Sequence, residues 1–335
     1  MKAVTLGAPG GLERLEVVDM PDPGQPAAGE IRVRLHASSI NFHDYAVARG
    51  FLPSADGRIP MSDGAGVVEA VGPGSGEFSV GDRVVSGFFP LWHDGPANVA
   101  DFSQTPGDGL DGYAREVVLT PSSWFTKAPL GFTHAEAATL TTAGLTAWRA
   151  LVVEGELKAG DTVLTLGTGG VSIFAVQFAK MMGASVISTS SSDKKLERLR
   201  ALGADHTINY KKDPEWGGMV RQLTAGHGVD HVVETGGPGT LSQSIVAVKT
   251  AGRIHLIGTL TRQTGELPLT LMMIKQARLQ GLVVGSRRHQ QDMVRGIEAN
   301  GLKPIIDRSF PLECLAEAFR YEESGQHFGK IAIEF

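Results

Sequence analysis

The sequence predicts an α/β protein: a doubly wound parallel sheet in the second half of the chain, preceded by a β-rich region. Three observations carry this prediction. From residue 162 onward, six short apolar runs alternate with helix-like runs, the pattern of βαβ units feeding a parallel sheet. The first junction, Leu164-Thr165-Leu166-Gly167-Thr168-Gly169-Gly170-Val171-Ser172, runs from an apolar strand through a glycine-rich turn into a helix. Before residue 125, short apolar stretches are punctuated by turns such as Pro21-Asp22-Pro23-Gly24 and Gly72-Pro73-Gly74, as in a small barrel or sandwich.

In chain order, strands are predicted at 2–6, 15–19, 31–38, 66–71, 83–87 and 113–119. Residues 133–153 read as helix. The sheet strands follow at 162–166, 185–189, 206–209, 229–234, 253–257 and 279–284, with helices at 171–182, 193–202, 216–224 and 240–247 between them. After Gly285 a helix at 291–299 leads through mixed structure to a strand at 330–335. No repeat of solenoid period and no low-complexity tract interrupts this order.

Composition narrows the function classes. A chain of 335 residues, 42% of them hydrophobic, fills about two ordinary domains. Its net charge of −5 is spread over mixed signs with no basic block, which argues against nucleic acid as a partner. No apolar run approaches the roughly 20 residues of a membrane span, so no membrane partner is expected. The opening Met1-Lys2-Ala3-Val4 does not read as a signal peptide. Cys314 is the single cysteine, which excludes an intramolecular disulfide and any multi-cysteine zinc site; a reducing, cytoplasmic setting is the simplest expectation.

The glycine turn is the expected cofactor site. Gly167 would allow the tight turn, with Thr168 beside it. Gly169 would let the backbone approach a pyrophosphate, and Gly170 or Val171 would pack helix against sheet. The helix N-terminus then offers free N–H groups to the phosphates. An NAD site places an acid at the end of the second strand, on the ribose 2′-hydroxyl. Here that strand runs into Ser190, Ser191 and Ser192. Asp193 follows at the start of the next helix, where it reads as a cap or first-turn acid. Hydroxyls followed by Lys194 and Lys195 suit a 2′-phosphate, so NADPH is favoured over NADH. A solvated helix face is the competing reading of Lys195. Tyr210, after the third strand, would add a hydroxyl.

Further motifs stand in a fixed order. They are Ser39-Ile40-Asn41-Phe42-His43-Asp44-Tyr45, the Gly64–Gly72 run, Val80-Gly81-Asp82-Arg83-Val84, Gly112-Tyr113-Ala114, Ala143-Gly144-Leu145-Thr146-Ala147-Trp148, Gly203-Ala204-Asp205 and Phe328-Gly329-Lys330. With the glycine turn, they make the whole chain resemble the medium-chain dehydrogenase/reductase superfamily. The resemblance implies a GroES-like catalytic domain from residues 1–143 and 285–335 and a Rossmann dinucleotide-binding domain from 144–284. Zinc members carry Cys, His and Cys at places that here read Asn41, Ser62 and Thr142, none a good zinc ligand. The segment from Pro90 to Leu110 lacks the four cysteines of their second metal lobe. The chain therefore resembles the zinc-free, quinone oxidoreductase-like members, which also carry Asn at the place of Asn41. Their 2′-phosphate site has Lys and Tyr at the places of Lys195 and Tyr210. A site from His43, Asp44, His93 and Asp94 is the one other metal arrangement considered; it lacks helical ligand spacing and precedent in the family.

Without a metal, hydrogen bonds must stabilise the developing negative charge. The candidate catalytic groups are Asn41, His43 and Thr142, with His43 able to donate a proton near neutral pH or to bond Asp44 or the cofactor ribose. Tyr45, together with Phe51, Phe89 and Trp92 from the irregular loops at 51–59 and 88–101, supplies the candidate substrate contacts. By resemblance Gly258, Val284 and Ser286 lie near the nicotinamide, and Phe328 and Lys330 close the site. The apolar stretch 267–273 lies at the edge through which this family dimerises, so a homodimer is expected. The resemblance implies hydride transfer to a quinone, an α,β-unsaturated carbonyl or an activated ketone. An alcohol dehydrogenase and a non-catalytic NADPH-binding protein are the alternatives.

Overall fold

The computed structural model describes residues 1–99, 101–261 and 264–335. The chain divides into two compact units, one of Met1–Leu145 with Val284–Phe335, the other of Thr146–Val283.

The first unit begins with a two-stranded antiparallel pair, β1 (Lys2–Leu6) and β2 (Leu15–Asp19). The long β3 (Glu30–Ser39) is next, and its last residues lead into the short helix α1 (Phe42–Ala48). Strands β4 (Ala65–Val71), β5 (Arg83–Ser86), β6 (Val117–Pro121) and β7 (Phe125–Lys127) follow. The close packing of β4 explains its glycine motif. A Cβ on Gly66 would lie 2.0 Å from the carbonyl oxygen of Arg34, and one on Gly64 would lie 2.7 Å from the Tyr113 ring. Ile31, Val33, Leu35, Val68, Val84, Tyr113 and Phe125 form one core of this unit.

Residues 134–153 are helical, as expected, but not regular. Helix α2 (His134–Ala138) is capped by Thr133 and Glu136. It then passes into a π-helical stretch, Leu140–Gly144. Helix α3 (Leu145–Trp148) and a second π-helical stretch, Arg149–Val153, complete it. Such wide turns are found mostly at functional sites, and Thr142 sits in the first one.

The second unit holds β8 (Thr162–Leu166), α4 (Gly170–Met181), β9 (Ser185–Ser190), α5 (Asp193–Ala201), β10 (His206–Asn209), α6 (Trp216–Leu223), β11 (Val229–Glu234), α7 (Pro238–Ala247), β12 (Val248–Leu256), α8 (Leu269–Ile274) and β13 (Arg278–Gly281). The six strands are parallel and ordered β10-β9-β8-β11-β12-β13. Strand order therefore reverses between β8 and β11, which is where a doubly wound sheet opens a ligand crevice. Leu164, Ile187, Ile208, Val232 and Ile254, one from each of five strands, meet Leu241 and Ile245 of α7 in the core.

The chain then returns to the first unit as α9 (Arg287–Asn300), β14 (Ile306–Pro311), α10 (Leu315–Glu323) and β15 (Lys330–Glu334). These strands extend the first sheet, giving the order β14-β15-β3-β4-β5-β7 with β6 also paired to β3. Three expectations are corrected. The strand expected at 279–284 spans Arg278–Gly281, and Val284, beyond it, has a positive φ of 44°. The strand at 113–119 begins at Val117 and continues to Pro121. Strand β14 and helix α10 were read only as mixed structure, since Ile306-Asp307-Arg308-Ser309-Phe310-Pro311 is too polar for period-2 reading. Among the described residues no helix is long and apolar enough to cross a membrane.

One buried pair in the second unit has a pH signature. His231 and His255, side by side on β11 and β12, stack with ring centres 5.7 Å apart, and His231 faces Asp161 at 3.3 Å. Burial lowers both, His255 to about 3. Unfolding releases them to ordinary values near 6.5, so the unfolded chain binds more protons as pH falls below that value. Stability contributed by the neutral pair is present above about pH 6.5 and is lost as pH falls toward the folded values. The melting temperature is thus expected to drop between pH 7.5 and 5, and His255→Phe to flatten that slope. An unchanged slope in the variant refutes this account.

Candidate active site

A closed ring of polar side chains lies inside the first unit, drawn from four places in the sequence. At its centre is Asp63, with no exposed surface. Ser39 Oγ donates to Asp63 Oδ2 at 2.5 Å, Asn41 Nδ2 donates to the same oxygen at 2.8 Å, and Thr142 Oγ1 donates to Oδ1 at 2.6 Å. The ammonium of Lys330, at the start of β15, stands 3.7 Å from Oδ2. Lys330 Nζ also donates to Asn41 Oδ1 at 2.6 Å and to the Ile40 carbonyl. Burial pushes the Asp63 carboxyl up to about 6, against the pull of Lys330. It is therefore ionised at neutral pH, which suits a group that accepts on every side.

Local structure makes the ring. Asp44, in the first turn of α1, accepts from the Asn41 backbone N–H at 3.0 Å and from its Nδ2 at 3.1 Å. Its other oxygen accepts the Ser62 N–H at 2.8 Å. Just before Ser62, Met61 has a φ of 79°, a strained value for a non-glycine residue. The backbone of Gly107 and Gly112 packs so closely there that a Cβ on either would lie under 3.0 Å from the 60–61 backbone. The turn presenting Ser62 and Asp63 is thus held from both sides.

Several expected site residues are placed differently from their proposed roles. Asn41 reads in the sequence as a donor to substrate, but its amide is committed to Asp63, Asp44 and the Ser39 carbonyl, with its oxygen on Lys330. Lys330 was expected against the cofactor; it is buried and turned inward. Tyr45 is packed into the core of α1 and α10, and its hydroxyl donates to Glu323 at 3.0 Å. Ser286 is buried as the N-cap of α9, accepting from the His289 N–H at 3.2 Å. Phe328 and Val284 are buried.

His43 pairs with a carboxylate that sequence reasoning did not name. Its Nε2 lies 3.0 Å from Asp108 Oδ2, and its ring meets Phe88 and Phe102 at 5.3 and 4.8 Å. Its buried Nδ1 has no partner among the described residues, and neither has the Ser62 hydroxyl. Phe89 stacks on Phe102, and Trp92 is buried beside Phe89. Phe51 is exposed. The loop expected at 88–101 includes Ala100, which lies outside the described residues.

The second unit carries the dinucleotide turn. Gly167 has a φ of 75°, and Gly169 is the residue before α4. A Cβ on either would meet nothing within 4 Å, which leaves the turn open on the side a ligand needs. Thr168 is buried; Gly170 and Val171 begin α4. Gly258 packs on the loop after β11, where a Cβ would lie 2.6 Å from the Thr235 oxygen. At the end of β9, Ser190 is buried and Ser192 caps α5, accepting from Lys195 N. Tyr210 is half exposed, and its N–H donates to the Ser190 carbonyl at 3.2 Å. Asp193 is held by Lys212 Nζ and Asn209 Nδ2, both at 2.7 Å, and the Lys212 ammonium first, then Asn209, keeps its carboxyl below the usual range.

Two family models match the chain: an alcohol dehydrogenase GroES-like domain over residues 27–130 and a zinc-binding dehydrogenase over 170–299. A zinc-type alcohol dehydrogenase-like protein of Schizosaccharomyces pombe is 40% identical over 334 residues, spanning 97% of this chain and 96% of the relative. The chain belongs to the medium-chain dehydrogenase/reductase superfamily. It is an NAD(P)H-dependent oxidoreductase with the superfamily's GroES-like and Rossmann-type architecture. A crystallised NAD-dependent alcohol dehydrogenase superposes with a TM-score of 0.91 at 36% identity, covering 100% of both chains. A quinone oxidoreductase of Pseudomonas syringae does so with 0.83 at 28% identity, covering 100% of this chain and 99% of its own.

At the three places where zinc members of the superfamily carry Cys, His and Cys, this chain carries Asn41, Ser62 and Thr142. Amide and hydroxyl groups stand at 41, 62 and 142, and two of the three are bonded into the Asp63 ring. A buried ammonium already supplies the positive charge beside the carboxylate. His93 and Asp94 are exposed on their loop. Among the described residues no group of three or more His, Cys, Asp or Glu is placed to hold a metal.

Breaking the Asp63–Lys330 pair from one side leaves a buried charge uncompensated. Lys330→Met is expected to cost about 3–5 kcal/mol of stability, measured by urea unfolding. Asp63→Asn in the same chain is expected to return part of it, giving a coupling above about 1 kcal/mol. Additive losses would mean that the two groups are not each other's counter-charge.

Proposed function

We propose that this chain is an NADPH-dependent reductase that transfers hydride, without zinc, to a quinone, an α,β-unsaturated carbonyl or an activated ketone. The observation that supports the reading is the closed ring around Asp63, in which Lys330 is a buried cation. Charge that develops on an enolate or hydroquinone is delocalised and can be met by hydrogen bonds, whereas a simple alcohol needs its pKa lowered. A bound nicotinamide supplies hydride.

The chain's own residues supply the proton. Thr142 is the least buried member of the ring and carries one hydroxyl proton, which it donates to Asp63 when that carboxylate is ionised. When Asp63 holds a proton, the hydrogen bond reverses. Asp63 then donates to Thr142 Oγ1, and the Thr142 proton passes to a substrate oxygen bonded to it. The carboxylate is left ionised and regains its proton from water through Thr142. Lys330, Asp44 and the Ser39 and Asn41 donors set how readily Asp63 takes that proton. Alcohol oxidation is the second reading, favoured by the names of the relatives, and it runs the same path in reverse through ionised Asp63.

NADPH preference rests on the end of β9. Ser190, Ser191, Lys195 and Tyr210 gather hydroxyls and positive charge there, and Asp193 is occupied by Lys212 and Asn209. We further propose a cytoplasmic homodimer. Strand β13 is a sheet edge, and Leu269, Met273 and Ile274 of the adjoining α8 are each about two-thirds exposed, an apolar surface that a second copy would cover.

Three measurements on one preparation test the reading. Elemental analysis is expected to find no stoichiometric zinc, and light scattering to give the mass of two chains. NADPH oxidation with 1,2- and 1,4-quinones and a 2-enone is expected to exceed NADH oxidation. Stoichiometric zinc, or turnover only with alcohols, makes the dehydrogenase reading the right one.

The proton path has its own test. Because the Asp63 value is raised to about 6, reduction should be fastest below that pH and decline above it, with the opposite limb in oxidation. Thr142→Val is expected to lower kcat about 100-fold and to flatten the limb, and Thr142→Ser to keep both. An unaltered limb in Thr142→Val rules the path out.

A further inference from the structure

Glu234, the last residue of β11, is a second carboxylate with no exposed surface, and no cation pairs with it among the described residues. Four donors surround it. Oε1 accepts from the N–H groups of Gly236 and Gly237 at 2.8 and 3.0 Å and from Thr240 Oγ1 at 2.6 Å. Oε2 accepts from Ser244 Oγ. Burying a carboxylate with no counter-cation is costly, and only charge-assisted hydrogen bonds and the N-terminal end of α7 offset it here. An apolar side chain would fill the same space without that cost, so the carboxylate's use lies in what it holds.

Three of its four donors belong to residues 236–240, the turn from β11 into α7. That turn is braced to its neighbours. Thr235 Oγ1 donates to the Leu166 carbonyl at 3.1 Å, one residue before the glycine turn of β8. Thr261, beyond β12, donates to the Gly236 carbonyl through its N–H at 2.9 Å and its hydroxyl at 2.7 Å. A Cβ on Gly237 would lie 2.7 Å from Thr259 Cα. The loops after β8, β11 and β12 are therefore locked together at the C-terminal edge of the sheet, beside the point where strand order reverses.

We propose that Glu234 is the positioning residue of the dinucleotide crevice: it fixes the 235–237 turn against the glycine turn and so sets affinity for the nicotinamide cofactor. The proposal rests on dinucleotide binding alone, not on the substrate or on the preference between NADPH and NADH.

Binding of NADPH and of NADH, followed by cofactor fluorescence, and melting of the cofactor-free protein test it. Glu234→Ala is expected to weaken both cofactors about tenfold or more, since two loop N–H groups lose their acceptor. Glu234→Gln is expected to stay within about threefold, because the amide oxygen still accepts from the loop while its NH2 faces the Ser244 hydroxyl. Ser244→Ala, which removes the one donor outside the loop, is expected to lower the melting temperature and leave affinity unchanged. Should Glu234→Ala not fold, Thr240→Val removes one loop-side bond and is expected to weaken binding about threefold. Affinity unchanged in Glu234→Ala, or lost equally in Glu234→Gln, overturns the proposal. Wild-type protein that binds neither nucleotide overturns it together with the dinucleotide reading, a failure visible before any variant is made.

Discussion

The buried pair of Asp63 and Lys330 is the constraint on which the first unit's chemistry depends. It joins the start of the last strand to the turn before β4, and through Asn41, Ser39 and Thr142 it reaches the end of β3, the start of α1 and the π-helical turn. Removing two charges from water is costly, so such a pair persists only when the remaining donors and acceptors are filled. Here Lys330 takes the Asn41 oxygen, which leaves the Asn41 NH2 to face two carboxylates. One ammonium thus decides the orientation of an amide, and that amide and Ser39 fill Oδ2 of Asp63 while Thr142 takes Oδ1.

The consequence is a division of labour among groups that look alike in the sequence. Asn41, His43 and Thr142 all read as hydrogen-bond donors available to a substrate. In the structure Asn41 is committed on both sides of its amide, and His43 is turned to Asp108 within an aromatic cage. Thr142 alone of the ring is only half-buried. The proposed proton path follows from that difference in exposure rather than from residue type.

The sheet of the second unit was legible because strand, glycine turn and helix each impose a different periodicity, and all six strands fall where alternation puts them, with ends differing by a few residues. The GroES-like part was legible through motifs whose reason is steric: Gly64 and Gly66 admit an aromatic ring and a neighbouring backbone where no Cβ fits. The polar ring was not legible. Asp63 stands beside the glycine motif and Lys330 inside the closing one, but neither position shows that the two meet across more than 260 residues of chain. Glu234 was hidden for another reason: as the end of an apolar strand it reads as the point where the strand meets solvent, and only the fold reveals that four donors enclose it. Asp108 lies in a loop whose path no periodicity encodes.

Two buried carboxylates, treated differently by the fold, close the argument. Asp63 is faced by a cation and has one partner, Thr142, that is partly open to the outside; in the proposed path its charge is exchanged for a proton through that hydroxyl. Among the described residues Glu234 has no cation, and two of its four donors are backbone N–H groups that can only donate. A carboxylate held by such groups keeps them in place for as long as it stays an acceptor. The first arrangement suits a group that must change protonation during turnover. The second suits one that holds a turn in place beside a crevice.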